Sequence, residues 1–187
     1  MHHSRTSAFL ITCSLFSLVS VLSCKHIPDD RSRLEGNVVP PQARKILDAG
    51  DRFVFLSLDP HPEFIAETSS APSGKETFHG YPVLGKAVVH DSRQRTDLLK
   101  ALYQGIAESD GEIAACFSPR HGFSATRGTN TVDLVICFEC RQIRVYPGYT
   151  DRVLTTTGWP TNTFNQMLQR MGLPIYSYPQ PEPNLFE

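Results

Sequence analysis

Four runs rich in β-branched, aromatic and other apolar residues follow one another between Ile113 and Tyr146: Ile113 to Phe117, Phe123 to Arg127, Val132 to Phe138 and Ile143 to Tyr146. The breaks between them are far shorter than the dozen or more residues a parallel crossover needs. The stretch therefore predicts an antiparallel meander over about residues 112–146, with Arg127-Gly128-Thr129-Asn130 as one of its turns. In the third run the apolar positions are Val132, Leu134, Ile136 and Phe138; after Cys140 they are Ile143 and Val145. Side chains along a strand alternate with period two, so this change from even to odd requires a turn or bulge near Glu139 to Gln142. A turn there brings Cys137 and Cys140 to one side; a flat strand would point them to opposite faces.

Helical periodicity flanks the meander. Leu98, Leu99, Leu102, Tyr103 and Ile106 fall on one face of a predicted helix over Arg93 to Glu108, with Asp91 and Gln94 as a capping-box-like start. Asn162 to Met171 predicts a shorter helix with Phe164, Met167, Leu168 and Met171 on one face. Pro40-Pro41 opens another, with Ala43, Ile46 and Leu47 inward, and Gly50 ends it. Arg52 to Leu58 and Val83 to His90 read as strands, separated by a long Pro- and Ser-rich loop over Pro60 to Thr77. The expected fold is α+β: an antiparallel sheet with one or two amphipathic helices packed on one face.

The N-terminus fixes the expected compartment. Phe9 to Leu22 is mostly apolar, follows Arg5, and is shorter than the about 20 residues of a spanning helix. It ends in Val21-Leu22-Ser23-Cys24, which resembles the lipobox of bacterial lipoproteins, where the cysteine is acylated and becomes the new N-terminus. We therefore expect a signal peptide over residues 1–23, a polar tether over 24–39 starting at lipidated Cys24, one domain over 40–176, and an irregular tail over 177–187. The expected location is the cell envelope, with the chain held to the membrane by its lipid. Loss of Arg5 leaves 17 basic against 19 acidic side chains, a net charge of −2, which gives no footprint for nucleic acid.

Of the five cysteines, Cys13 leaves with the signal and Cys24 carries lipid. Cys116, Cys137 and Cys140 remain, an odd number that allows at most one internal disulfide. With His121 they occupy 25 residues, and four readings stay open. The first is a Cys3His zinc site, for which the four residues supply a tetrahedral ligand set, although Arg141-Gln142 follow Cys140 where zinc knuckles usually carry glycine. The second is a disulfide, either Cys116–Cys137 between strands or Cys137–Cys140 within the turn, favoured by export. The third is a set of buried free thiols. The last is a Cys116 nucleophile with His121 as base and Asp133 or Glu139 as its orienter. Pro119-Arg120-His121-Gly122 reads as a hairpin turn, on which Arg120 and His121, with Glu139, are candidates to grip a ligand. Trp159 is either an exposed binding aromatic or an anchor for its loop.

The runs CFSPRHGF, VDLVICFEC and IRVYPG resemble those of a family of small exported bacterial proteins that share a CF-x-PRH segment followed by a D-L-x-x-CFEC strand. The resemblance covers about Phe78 to Met171. It carries no activity; it implies that Cys116, Arg120, His121, Cys137, Glu139 and Cys140 belong together.

The chain holds no glycine-rich phosphate loop, G-x-S-x-G elbow or H-E-x-x-H pair. The leading expectation is thus a non-catalytic, membrane-anchored domain that binds a protein or small molecule. The alternative is a zinc-binding or thiol-active protein using Cys116, His121, Cys137 and Cys140.

Overall fold

The computed structural model describes residues 36–61, 76–146 and 153–177. The expectations for the signal segment, for Cys24, for most of the tether and for the tail beyond Ser177 lie outside these residues. Within them the chain is α+β. The elements run α1 (Pro41–Ala49), β1 (Arg52–Leu58), β2 (Thr77–Phe78), β3 (Tyr81–Val88), α2 (Ser92–Ala107), β4 (His121–Arg127), β5 (Asn130–Cys137), β6 (Gln142–Tyr146), β7 (Val153–Thr155) and α3 (Pro160–Arg170). The strands form one curled antiparallel sheet in the order β2-β3-β1-β4-β5-β6-β7. Among the described residues no helix is long and apolar enough to cross a membrane.

Each helix follows from local chemistry. Proline opens α1 and α3, where its missing N–H has no helical partner to lose. Asp91 caps α2 by accepting the backbone N–H of Arg93 at 2.7 Å. The guanidinium of Arg95 in α2 donates to the carbonyls of Leu47 and Gly50, satisfying acceptors that the end of α1 leaves open. Gly105 in α2 permits a close approach: a Cβ there would lie 2.7 Å from Pro160 Cγ and 2.7 Å from Thr156 Oγ1, so this glycine sets how near α2 comes to the start of α3.

The helices cover one sheet face. Phe53 and Phe55 of β1, Phe123 and Ala125 of β4, and Val132, Leu134 and Ile136 of β5 meet Leu47, Leu98, Leu102, Phe164 and Leu168 in the main core. The apolar positions read from β5 are thus the helix-facing ones. The opposite face is also apolar, with Val54, Leu56, Leu58, Tyr81 and Val135 buried together and Phe78, Phe117 and Tyr146 packed against them. The β2–β3 hairpin and the segment before β4 supply that second cover. Asn37, counted above with the tether, is docked: its side chain donates to the carbonyls of Ile106 and Thr155 and accepts from the N–H of Thr155.

Three expectations are corrected. Ile113 to Phe117 is not a strand, so the meander begins at β4. The backbone of this segment bonds to the tip of the β5–β6 hairpin instead, with Ala114 N–H donating to Cys140 O and Gln142 Nε2 donating to the carbonyls of Ala114 and Cys116. Pro119 to Gly122 is not a hairpin turn: His121 and Gly122 are the first residues of β4, paired with Ile136 and Val135. β2 and β7 add two strands that the sequence pattern does not predict, being two and three residues long.

Candidate functional site: three sulfurs beside an arginine cleft

The inferred turn between β5 and β6 is present. Cys137 pairs with Gln142, and Phe138 to Arg141 reverse the chain, with Arg141 N–H donating to Phe138 O and Arg141 at φ 59°. This brings the Cα atoms of Cys137 and Cys140 to 5.2 Å, within bridging range, and the two form a disulfide. The candidate Cys116–Cys137 bridge is therefore corrected to the alternative within the turn. Both bridged residues are buried, Cys137 at 1% and Cys140 at 0% exposure.

Cys116 is a free, exposed cysteine, and its Sγ lies 3.7 Å from Cys140 Sγ. The surrounding segment is well anchored. Gln142 holds the carbonyls on either side of Ala115, and Phe117 packs edge-on to Tyr81 with the Arg144 guanidinium 3.8 Å above its ring. Two backbone donors point at the bridge: Ser118 N–H at Cys140 Sγ, 3.2 Å away, and Cys140 N–H at Cys137 Sγ, 3.0 Å away. Hydrogen bonds to sulfur favour the charged form whenever that sulfur becomes a thiolate.

His121 does not join the sulfurs. It starts β4 in phase with Phe123 and Ala125, so its ring enters the helix-side core, whereas alternation along β5 puts Cys137 on the opposite face from Ile136. There it is 2% exposed, stacked at 6.3 Å with Phe55 and edge-on to Phe164, with Nε2 2.9 Å from Asn165 Oδ1. Burial pushes its pKa down to about 4, and the nearby Arg120 charge adds to that, against the raising effect of the Asn165 hydrogen bond.

The Cys3His zinc set is accordingly not assembled, and among the described residues no group of three or more His, Cys, Asp and Glu is disposed to hold a metal ion. Nor is the Cys116–His121 nucleophile: His121 is engaged by Asn165, Asp133 bonds His79 at 2.9 Å, and Glu139 pairs with Arg120.

The binding candidates do come together. Arg120, His121 and Glu139 line one cleft of about 80 Å³ with Ser118, Asn165 and Tyr176. Arg120 and Glu139 form a two-pronged ion pair at 2.8 and 3.0 Å, and the Arg120 guanidinium lies 5.4 Å from the Tyr176 ring centre. Because Glu139 sits inside the disulfide turn, the cleft and the sulfur cluster share a wall. Asn165 and Tyr176 carry no sequence signal: both reach the site through the packing of α3 and the segment after it. Trp159 is 40% exposed and donates its Nε1–H to Glu108 across the ends of α2 and α3. Compared with protein-family models, curated proteins and solved structures, the chain finds no match.

Proposed function

We propose that this chain is a thiol-active domain of the cell envelope, tethered by lipid at Cys24, whose chemistry is disulfide exchange among Cys116, Cys137 and Cys140. The observation that carries the reading is the free thiol of Cys116 at 3.7 Å from a bridged sulfur. In the exchange step the Cys116 thiolate attacks Cys140 Sγ. The Cys116–Cys140 bond forms as the Cys137–Cys140 bond breaks. The electron pair leaves on Cys137 Sγ, which ends with the proton that Cys116 gave up, so nothing is oxidised or reduced overall. The Cys140 N–H, aimed at Cys137 Sγ, is positioned to stabilise the charge that develops there.

Mass mapping of the exported full-length protein tests this. We expect one free thiol per chain and a mixture of 137–140 and 116–140 linkages after incubation at mildly alkaline pH and rapid acid quenching. A single 137–140 linkage under all conditions would rule out exchange and favour the competing reading, binding without chemistry at the Arg120–Glu139 cleft. The tether has its own check. Cys24→Ala is expected to abolish lipid labelling and to release the protein from the membrane fraction; labelling that persists would sink the lipobox assignment.

A further inference from the structure

We infer that Cys116 is the surface port of a buried oxidising disulfide, and that its partner is an exposed dithiol on another protein or peptide. The inference rests on the exchange reading above. It starts from a mismatch in access. Cys137 is 1% exposed and Cys140 0%, so a thiolate arriving from solvent has no line of approach to either sulfur of the observed bridge. Cys116 is exposed and 3.7 Å from that bridge. Internal exchange moves one end of the disulfide to the surface. The isomer with the Cys116–Cys140 bond presents Cys116 Sγ to an incoming thiolate, which the observed isomer does not do with either of its sulfurs.

The chemistry of that isomer is set by its surroundings. A partner thiolate attacks Cys116 Sγ; the Cys116–Cys140 bond breaks and the electron pair leaves on Cys140 Sγ. The Ser118 N–H, 3.2 Å from Cys140 Sγ, faces the charge that develops. The result is a mixed disulfide between the partner and Cys116. The remaining thiols of this chain, Cys137 and Cys140, lie beneath Cys116 and can only attack back at it, returning the partner unchanged. Release in the forward direction therefore needs a second thiolate from the partner. It attacks the partner's own sulfur in the mixed disulfide, and Cys116 departs as a thiolate. Two electrons and two protons pass from the partner to this chain. The partner gains one disulfide, and this chain ends with three thiols. A monothiol must wait for a second molecule to resolve the mixed disulfide, whereas a dithiol supplies that thiolate at high effective concentration, which is why the partner class is a dithiol.

A peptide carrying Cys-Gly-Gly-Cys, mixed with the oxidised full-length protein in oxygen-free buffer, tests the assignment under single-turnover conditions. We expect one peptide disulfide per chain for the wild type. Cys116→Ser is expected to slow peptide oxidation by at least ~100-fold, because only the buried bridge remains. Cys137→Ser, which fixes the bridge at 116–140, is expected to react faster than the wild type, since the internal step is removed. Alkylating Cys116 in the folded wild-type protein repeats the Cys116→Ser test without a substitution. If Cys116→Ser and the alkylated protein both oxidise the peptide within ~3-fold of the wild type, Cys116 is not the port, although internal exchange stands. A wild type that shows both linkages yet leaves the peptide reduced overturns the partner activity alone. One that never shows the 116–140 linkage overturns the exchange reading and this inference with it.

Discussion

Phe164→Ala is expected to destabilise the protein by about 3–5 kcal/mol, measured by denaturant unfolding at neutral pH. Phe164 is fully buried, and its ring meets four others: Phe138 at 4.7 Å, Phe123 at 5.2 Å, His121 at 5.4 Å and Phe55 at 5.7 Å. These rings come from α3, β1, β4 and the β5–β6 turn, so the cavity left by truncation would sit where the helix layer joins the sheet. The surrounding rings are themselves packed and have little room to collapse into the gap. Phe164→Leu keeps most of the volume and should cost well under half as much. A loss below about 1 kcal/mol for the alanine variant would show that α3 does not depend on this cluster for its place.

The second large effect is a loss of stability in mild acid. In the unfolded chain His121 takes up a proton near its ordinary pKa of 6.5; in the folded protein it stays neutral until about 4. Between these values the unfolded state binds more protons, so folding stability falls as the pH is lowered through this window. Above 6.5 the contribution of the neutral histidine is complete, and below about 4 the group costs nothing further. A separation of this size is worth about 3 kcal/mol. Stability measured at intervals from pH 7.5 to about 4 in His121→Leu should show a flatter acid limb than the wild type. The same variant should be less stable at neutral pH, because Asn165 Oδ1 loses its partner. Parallel pH profiles for the two proteins would mean that His121 titrates alike in both states, against its burial.

Elements that hold their own pattern are open to sequence reading, and those defined by tertiary contact are not. β1 matches its expected span, Arg52 to Leu58, because it is a short apolar run buried on both faces and stopped by Asp59-Pro60, and α2 lies within one residue of its expected ends because its buried positions repeat at helical spacing. The change of phase around Cys140 locates a turn or bulge at Glu139 to Gln142, but it leaves open whether Cys137 bridges to Cys140 or to Cys116. Ile113 to Phe117 misleads, since an apolar run of five residues suits a strand as well as a loop pinned to its neighbour. His121 reads as part of a turn because Pro119 and Gly122 flank it. Its phase with Phe123 and Ala125 is the better signal, placing it in the core and away from the cysteines. The position of Cys116 over Cys140 has no local signature. It depends on the side chain of Gln142 and on where Phe117 packs, neither of which a spacing rule encodes.

The two disulfide isomers close very different lengths of chain. The Cys137–Cys140 bond spans a sequence separation of 3, and the Cys116–Cys140 contact spans 24. In the unfolded chain the shorter ring is favoured by chain entropy, by about 2 kcal/mol in the loop-closure model. In the folded protein that advantage disappears, because Cys140 already has both neighbours beside it. Folding therefore shifts the isomer ratio toward the long-range pair by the same amount, and by linkage the long-range pair stabilises the fold by that much more than the short one. The ratio of the two linkages thus depends on whether the chain is folded, although the folded protein still holds the short ring. A chain oxidised before it folds favours the short ring, and assembly of the sheet around Cys116 then removes that preference.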